Sequence, residues 1–279
     1  MLLIAMASLQ EAVRRRIVLA GALLTVAFLA LFGVGVWFAF DGLKAEGSLD
    51  PVQRQLFGGF LLSGGMWVLN FAASLLAIFT AVRSISGEVE EGTLAAVATR
   101  PLARWRILIG KALGLGAMLV LFVAVSTSAA FGIVYFIGGY MPGNPFLPPL
   151  LILLSAWVVQ CLTLLGTTRL PTVANGILIF ALFALGLVGG LVEQIGLVLD
   201  NDSMLNVGIA SSLIVPSRAV FDMASLRVLS GVSLPSMGGG AGGPFGFANP
   251  PSVWMAVYAV GYAVAALALA VRSFSRRDL

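Results

Sequence analysis

Side chains able to do chemistry are scarce in this 279-residue chain, and many of its charged ones are gathered between Arg83 and Lys111. That stretch, RSISGEVEEGTLAAVATRPLARWRILIGK, holds three of the twelve acidic residues and five of the sixteen basic ones. There is no histidine, which removes imidazole general bases and His-ligated zinc, copper or haem together. The one cysteine, Cys161, lies inside an apolar run, so no disulfide framework or thiolate cluster is available, and it reads as a small packing residue. The nine methionines follow no metal-ligand spacing. No nucleophile–base pair presents itself. What remains for the charged stretch is recognition of an aqueous partner.

The order of residues in that stretch suits a docking element. GEVEEGTLAAVATRP predicts a brief helix, Glu88–Thr99, with Glu88, Glu90 and Glu91 near its start, where negative charge complements the helix dipole. Leu94, Val97 and Ala98 fall at i, i+3 and i+4 and make a small apolar face. Pro101 ends the helix by forcing the preceding residue out of the α region. Gly92 lets another backbone approach closely. A short helix of this kind fits a groove in a soluble protein.

The elements that must position it are membrane spans. Hydrophobic residues make up 59% of the chain and charged ones 10%, against roughly 45–50% and about 25% in a soluble domain. One aqueous core could not use that much apolar surface, whereas a helical bundle in lipid could. Six segments are long enough to cross about 30 Å of hydrocarbon: 17–40, 57–82, 112–137, 150–166, 172–192 and 252–271. They must be helical, because lipid offers no partner to a bare amide. With the N-terminus in the cytoplasm, only Lys44, Arg54, Arg218 and Arg227 of the sixteen basic residues fall outside, so both termini and the Arg83–Lys111 loop are expected to be cytoplasmic. The net charge of +4 is explained by that topology and gives no reason to expect nucleic acid.

Residues 1–13 have near-helical apolar spacing and predict an interfacial helix, uncleaved, before the first span. Of the outer loop 193–251, Met204–Ile214 and Ala219–Leu229 predict two short amphipathic helices on the outer surface. The following SLPSMGGGAGGPFGFANPP reads as a tether.

Taken together, E-x-E-x-G-T-L, Pro101, Arg104 and the Gly110-Lys111 pair opening the next span resemble the permease subunits of export-type (ABC type-2) ATP-binding-cassette transporters. The topology is similar over the whole chain. The resemblance implies an all-α integral membrane protein of the cell (inner or plasma) membrane with a cytoplasmic coupling helix between spans two and three. It makes Glu88, Glu91, Gly92, Thr93, Leu94, Pro101 and Arg104, with Val97 of the apolar face, the surface that docks a separate ATPase. Two permease subunits, identical or paralogous, would pair with two ATPase copies in membrane lipid. The resemblance implies no cofactor and no enzymatic activity in this chain. An anchoring or regulatory subunit that moves no substrate is the alternative.

Two motifs mislead. LSGGM at 62–66 mimics part of an ATPase signature but lies within the second span, where its glycines suit close helix packing. Gly110-Lys111 lacks the upstream glycines of a phosphate-binding loop. No charged residue sits near the middle of any span, which argues against a proton-coupled carrier. The polar groups there are Asn70, Gln160 and Asn175, with hydroxyls at Ser126, Thr127 and Ser128. Either Asn70 and Gln160 line a translocation path, or these groups make interhelical hydrogen bonds worth ~0.6 kcal/mol each, the favoured reading. Small-residue pairs at Gly110/Gly114 and Gly186/Gly190 predict close helix crossings.

Overall fold

The computed structural model describes residues 2–14, 16–45, 50–87, 104–229 and 252–275. The expected docking helix Glu88–Thr99 and the tether within 230–251 lie outside the described residues. Among those described, the regular structure is entirely helical. In chain order the helices are α1 (Leu2–Arg14), α2 (Arg16–Ala45), α3 (Pro51–Ala81), α4 (Arg104–Gly138), α5 (Leu147–Thr167), α6 (Thr172–Val198), α7 (Asp202–Ile214), α8 (Ser217–Leu229) and α9 (Val253–Ser275).

Six of these, α2 to α6 and α9, are long and apolar enough to cross a membrane. Each expected span coincides with one of them, and the helices overshoot the hydrocarbon. α4 has 35 residues and is therefore about 52 Å long. Its first turns absorb Arg104, Arg106 and Lys111, which the sequence placed in a loop. Helix ends follow local chemistry. Pro51 opens α3 at a position with no amide to lose, and Gly139, at φ 69°, supplies the left-handed residue that stops α4.

The helices pack around α5, which meets α3, α4, α6, α8 and α9. Leu62, Met66 and Leu69 of α3, Leu119 of α4, Ile152 and Leu164 of α5 and Phe221 of α8 meet in the main core. α2 differs. Only 6% of its most apolar window is buried, and Leu23, Leu24, Leu31 and Phe38 are all largely exposed. So much bare apolar surface is suited to lipid or to another spanning helix, not to water. Where α2 crosses α3 it does so at Gly65, where a methyl group would stand 2.7 Å from Phe32 Cζ. The second glycine of the LSGGM run therefore serves packing. α1 lies against α4, its Ala5 carbonyl seated where a Cβ on Gly114 would be.

Two sets of connections define two ends of the bundle. Residues 87 and 104, the α5–α6 turn and the end of α9 share the stem end. The α4–α5 turn and the α7–α8 pair mark the hairpin end. The expected pair of helices in the outer loop exists with nearly the expected bounds, bent at 103°. It does not rest on a surface, however. α7 runs back along α6, with Met204 beside Gly196, Glu193 beside Gly208, Ser211 beside Gly189 and Val215 beside Gly186. The stretch of α6 from Gly186 to Gly196 is paired this way, a descent of about 15 Å. α8 then climbs along α5, where Ser155 Oγ donates to the Ser217 carbonyl at 3.0 Å. α8 is buried at Arg218, Val220, Phe221, Ala224 and Val228, around most of its circumference. Small residues on both α6 and α7 permit the approach, and Asn201 caps α7 by accepting from the Ser203 and Met204 amides at 3.0 and 3.2 Å.

Tyr140, in the α4–α5 turn, anchors the far end of the hairpin by donating to the Val228 carbonyl. Burial pushes its pKa above the ordinary phenol value, so it keeps its proton and its role as donor. Tyr140→Phe should lower stability by about 1–3 kcal/mol, the cost of a buried carbonyl without its donor. A thermal-shift comparison in detergent measures this, and an unchanged midpoint would show the bond to be dispensable.

Candidate functional site

Of the residues expected to dock a partner, Glu88, Glu91, Gly92, Thr93, Leu94, Val97 and Pro101 lie outside the described residues, and Arg104 is the first residue of α4. The structure does describe what holds both stems of that segment. After α3 the chain makes a turn over residues 82–85, and Ile85 inserts between Leu108 of α4 and Ala270 and Phe274 of α9. All four are fully buried. The incoming and outgoing stems are thereby joined to one another and to the last span.

Polar contacts reinforce this joint. Lys111, 8% exposed, sends its ammonium across to the carbonyl of Ser84. Its partner carbonyl belongs to the turn that follows α3, so the lysine ties the outgoing stem to the backbone of the incoming one. Ser86 Oγ lies 2.8 Å from Thr172 Oγ1, which links the incoming stem to the start of α6. Thr168 Oγ1 and Arg169 Nε each donate to Ser273 Oγ at 3.0 Å, which links the α5–α6 turn to α9. A displacement of segment 88–103 would therefore be passed to α3, α4, α6 and α9 through short contacts rather than through slack chain.

Sequence reasoning singled out Lys111 only as half of the Gly110-Lys111 pair and missed its role as a donor to the opposite stem. The signal, in retrospect, is a lysine about two turns inside an apolar helix, too deep to be solvated and so in need of a buried acceptor. Lys111→Met removes the donor while keeping the stem apolar. It should cost about 1–3 kcal/mol and speed proteolysis within 88–103 by severalfold in limited-digestion time courses. Wild-type resistance in the variant would show that the stems hold without the lysine.

The polar residues inside the spans are placed as follows. Gln160 of α5 is fully buried and donates through Nε2 to the Ala112 carbonyl of α4 at 3.2 Å. Asn175 of α6 donates through Nδ2 to the Thr163 carbonyl of α5 at 3.1 Å, its amide filling the space beside Gly166. Asn70 is buried in α3 with no hydrogen-bond partner for its Oδ1. Thr127 and Ser126 donate to carbonyls one turn back in α4.

At the hairpin end, Arg218 Nε stands 3.0 Å from one oxygen of Asp222 and donates to the other at 3.2 Å, one turn along α8. Its side chain lies against Gly190, where a Cβ would be 2.9 Å from Nε. The glycine that the spacing suggested for a helix crossing admits a guanidinium. Among the described residues no three His, Cys, Asp or Glu side chains come together as a metal site would need. The contacts at the two ends of the bundle join the two stems to the last span and fix α8 against α6.

A family model described as ABC-2 family transporter protein matches residues 2–279. Two curated proteins, each called probable ABC transporter permease protein NosY, are similar over part of the chain. The one from Pseudomonas aeruginosa is 35% identical over 130 residues, and the one from Stutzerimonas stutzeri is 35% identical over 127. Each match covers 46% of this chain and 42% of the relative, so the chain aligns with less than half the length of either.

Proposed function

This chain belongs to the ABC-2 transporter family, and from that premise we propose that it is the membrane-spanning subunit of an ATP-driven exporter. A separate ATPase hydrolyses the nucleotide, and this chain converts the motion into substrate passage. The observation that carries the reading is the stem joint. Segment 88–103, whose sequence reads as a docking helix, springs from two stems locked together by Ile85, Leu108, Phe274 and the Lys111–Ser84 contact.

In this mechanism ATP closes a pair of ATPase subunits and carries the Glu88–Thr99 helix of each of two permease chains with it. The joint passes the displacement to α3, α4 and α9, and the spans exchange inward- and outward-open arrangements. ATP drives the exchange only by binding more tightly to one of those arrangements. Both termini and the stem end face the cytoplasm, as the distribution of basic residues requires. Gln160 and Asn175 act in helix packing, each through one interhelical bond from its amide nitrogen. Export as the direction is taken from the resemblance of E-x-E-x-G-T-L and Pro101 to export-type permeases.

The test is co-purification of the tagged chain from its native membrane, followed by reconstitution with the ATPase it brings down. Hydrolysis should require this chain for substrate stimulation, and substrate should accumulate on the side opposite the ATPase. Hydrolysis without any translocation would favour a membrane anchor for the ATPase. Translocation without ATPase would overturn the proposal in favour of a carrier or channel.

A further inference from the structure

We propose that the stem end binds an acidic phospholipid of the adjoining leaflet, its phosphate held by Arg169 and Arg272 and its chains seated between α6 and α9. α6 and α9 each pack on α5 and leave a cavity of about 970 Å³ between them. That is at the upper end of small-ligand pockets, roughly 300–1,000 Å³. Its two halves differ in chemistry. At the rim stand Arg169, Arg272, Thr168 and Ser273, and the rest is lined mainly by leucines, with no carboxylate among the described lining residues.

The halves are also ordered along the membrane normal. Arg169 and Thr168 lie in the turn after α5, and Arg272 and Ser273 in the last turn of α9. Leu178 and Leu182 lie on α6, about 9 and 15 Å from its start at Thr172. Leu178 and Leu269 remain exposed at 46% and 55%, as chain-facing side chains should be. A cationic rim below an apolar wall of that height is complementary to a lipid head and the upper part of its chains. Free phosphate would use only the rim.

Selectivity for an acidic head follows from the two guanidinium charges: a zwitterionic head offers the same phosphate but no net negative charge, and its own ammonium is repelled by the pair. The rim is also pre-organised. Ser273 Oγ accepts from both Thr168 and Arg169, which fixes Arg169 towards α9 through one of its five donors. A lipid bridging Arg169 and Arg272 would brace α6 and α9 against α5 at the joint that also holds the stems of 88–103. The leaflet named rests on the proposed orientation, whereas the chemistry of the site does not.

The full chain, purified in mild detergent and exchanged against a mixture of phosphatidylglycerol and phosphatidylcholine, should retain phosphatidylglycerol in native mass spectra under activation that strips phosphatidylcholine. Arg169→Gln with Arg272→Gln should reduce that retention at least about tenfold, while Arg169→Lys with Arg272→Lys restores most of it and shows that the fold is intact. Millimolar inorganic phosphate should not displace the lipid. Equal retention of both lipids, full retention by the glutamine pair, or displacement by phosphate would each overturn the assignment. Thiol labelling of Arg276→Cys in sealed right-side-out vesicles reads the orientation separately. Labelling from the outside would move the lipid to the other leaflet and refute the topology, while protection together with absent lipid retention would sink the lipid site alone.

Discussion

Gly92→Trp should abolish substrate-stimulated hydrolysis in the reconstituted complex, with a fall of at least about tenfold, equivalent to about 1.4 kcal/mol of lost coupling. The position follows three glutamates and precedes the Thr93–Leu94 pair in a segment read as a docking helix. A residue without a side chain there permits a partner's surface to close on the backbone, and an indole would hold the surfaces apart. Gly92→Ala should lose far less, since one methyl group is small enough for a neighbouring side chain to accommodate. The chain itself should fold normally in both variants, so expression level and thermal midpoint stay near wild type. If the Trp variant retains full stimulated hydrolysis and transport, Gly92 does not face the ATPase, and the docking surface built on Glu88, Glu91, Thr93, Leu94 and Val97 falls with it.

Two glycines of the same helix pair should respond to alanine in opposite directions. Gly208 of α7 sits against the Glu193 backbone and Cβ of α6, so an added methyl group overlaps atoms that cannot rotate away. Gly208→Ala should therefore cost about 1–3 kcal/mol through overpacking and lower the thermal midpoint by several degrees. Gly186 faces Val215 across the same interface, where the methyl would meet atoms at 3.8 Å, an ordinary contact. Gly186→Ala should be neutral or gain up to about 1 kcal/mol from helix propensity. The contrast isolates the seating of α7 on α6. Equal midpoints for the two variants would mean that the hairpin does not hold its described depth.

The Arg218–Asp222 pair belongs to the same seating. It ties two turns of α8 to each other and presses the guanidinium into the notch at Gly190. Breaking such a buried pair leaves one charge without compensation, which is more damaging than replacing both groups together. The hairpin is thus held by an ionic pin, by Tyr140 at its far end and by glycine notches along α6.

How much of this was legible in the chain follows from what lipid demands. A spanning segment must be helical and about twenty apolar residues long, so the six spans could be read from residue types alone, as could the helical pair in the outer loop. The expected docking segment lies outside the described residues, and its reading rests on sequence alone: acids, an apolar triplet and Pro101 stand in a local order that needs no tertiary contact to be recognised. The rotation and depth of the helices were not legible. A helix apolar on every side, such as α2 or α6, carries no stripe to say which face meets its neighbour. That is why the sequence pairs Gly186 with Gly190, while the tightest seating of α7 falls at Gly189 and Gly208. It is also why the α7–α8 pair, read as a surface feature, proves to descend along α6. Contacts such as Lys111 with Ser84, Ser155 with Ser217 and Arg169 with Ser273 join residues far apart in the chain. Their partners are selected by the packing of six helices at once, and only the folded bundle decides them.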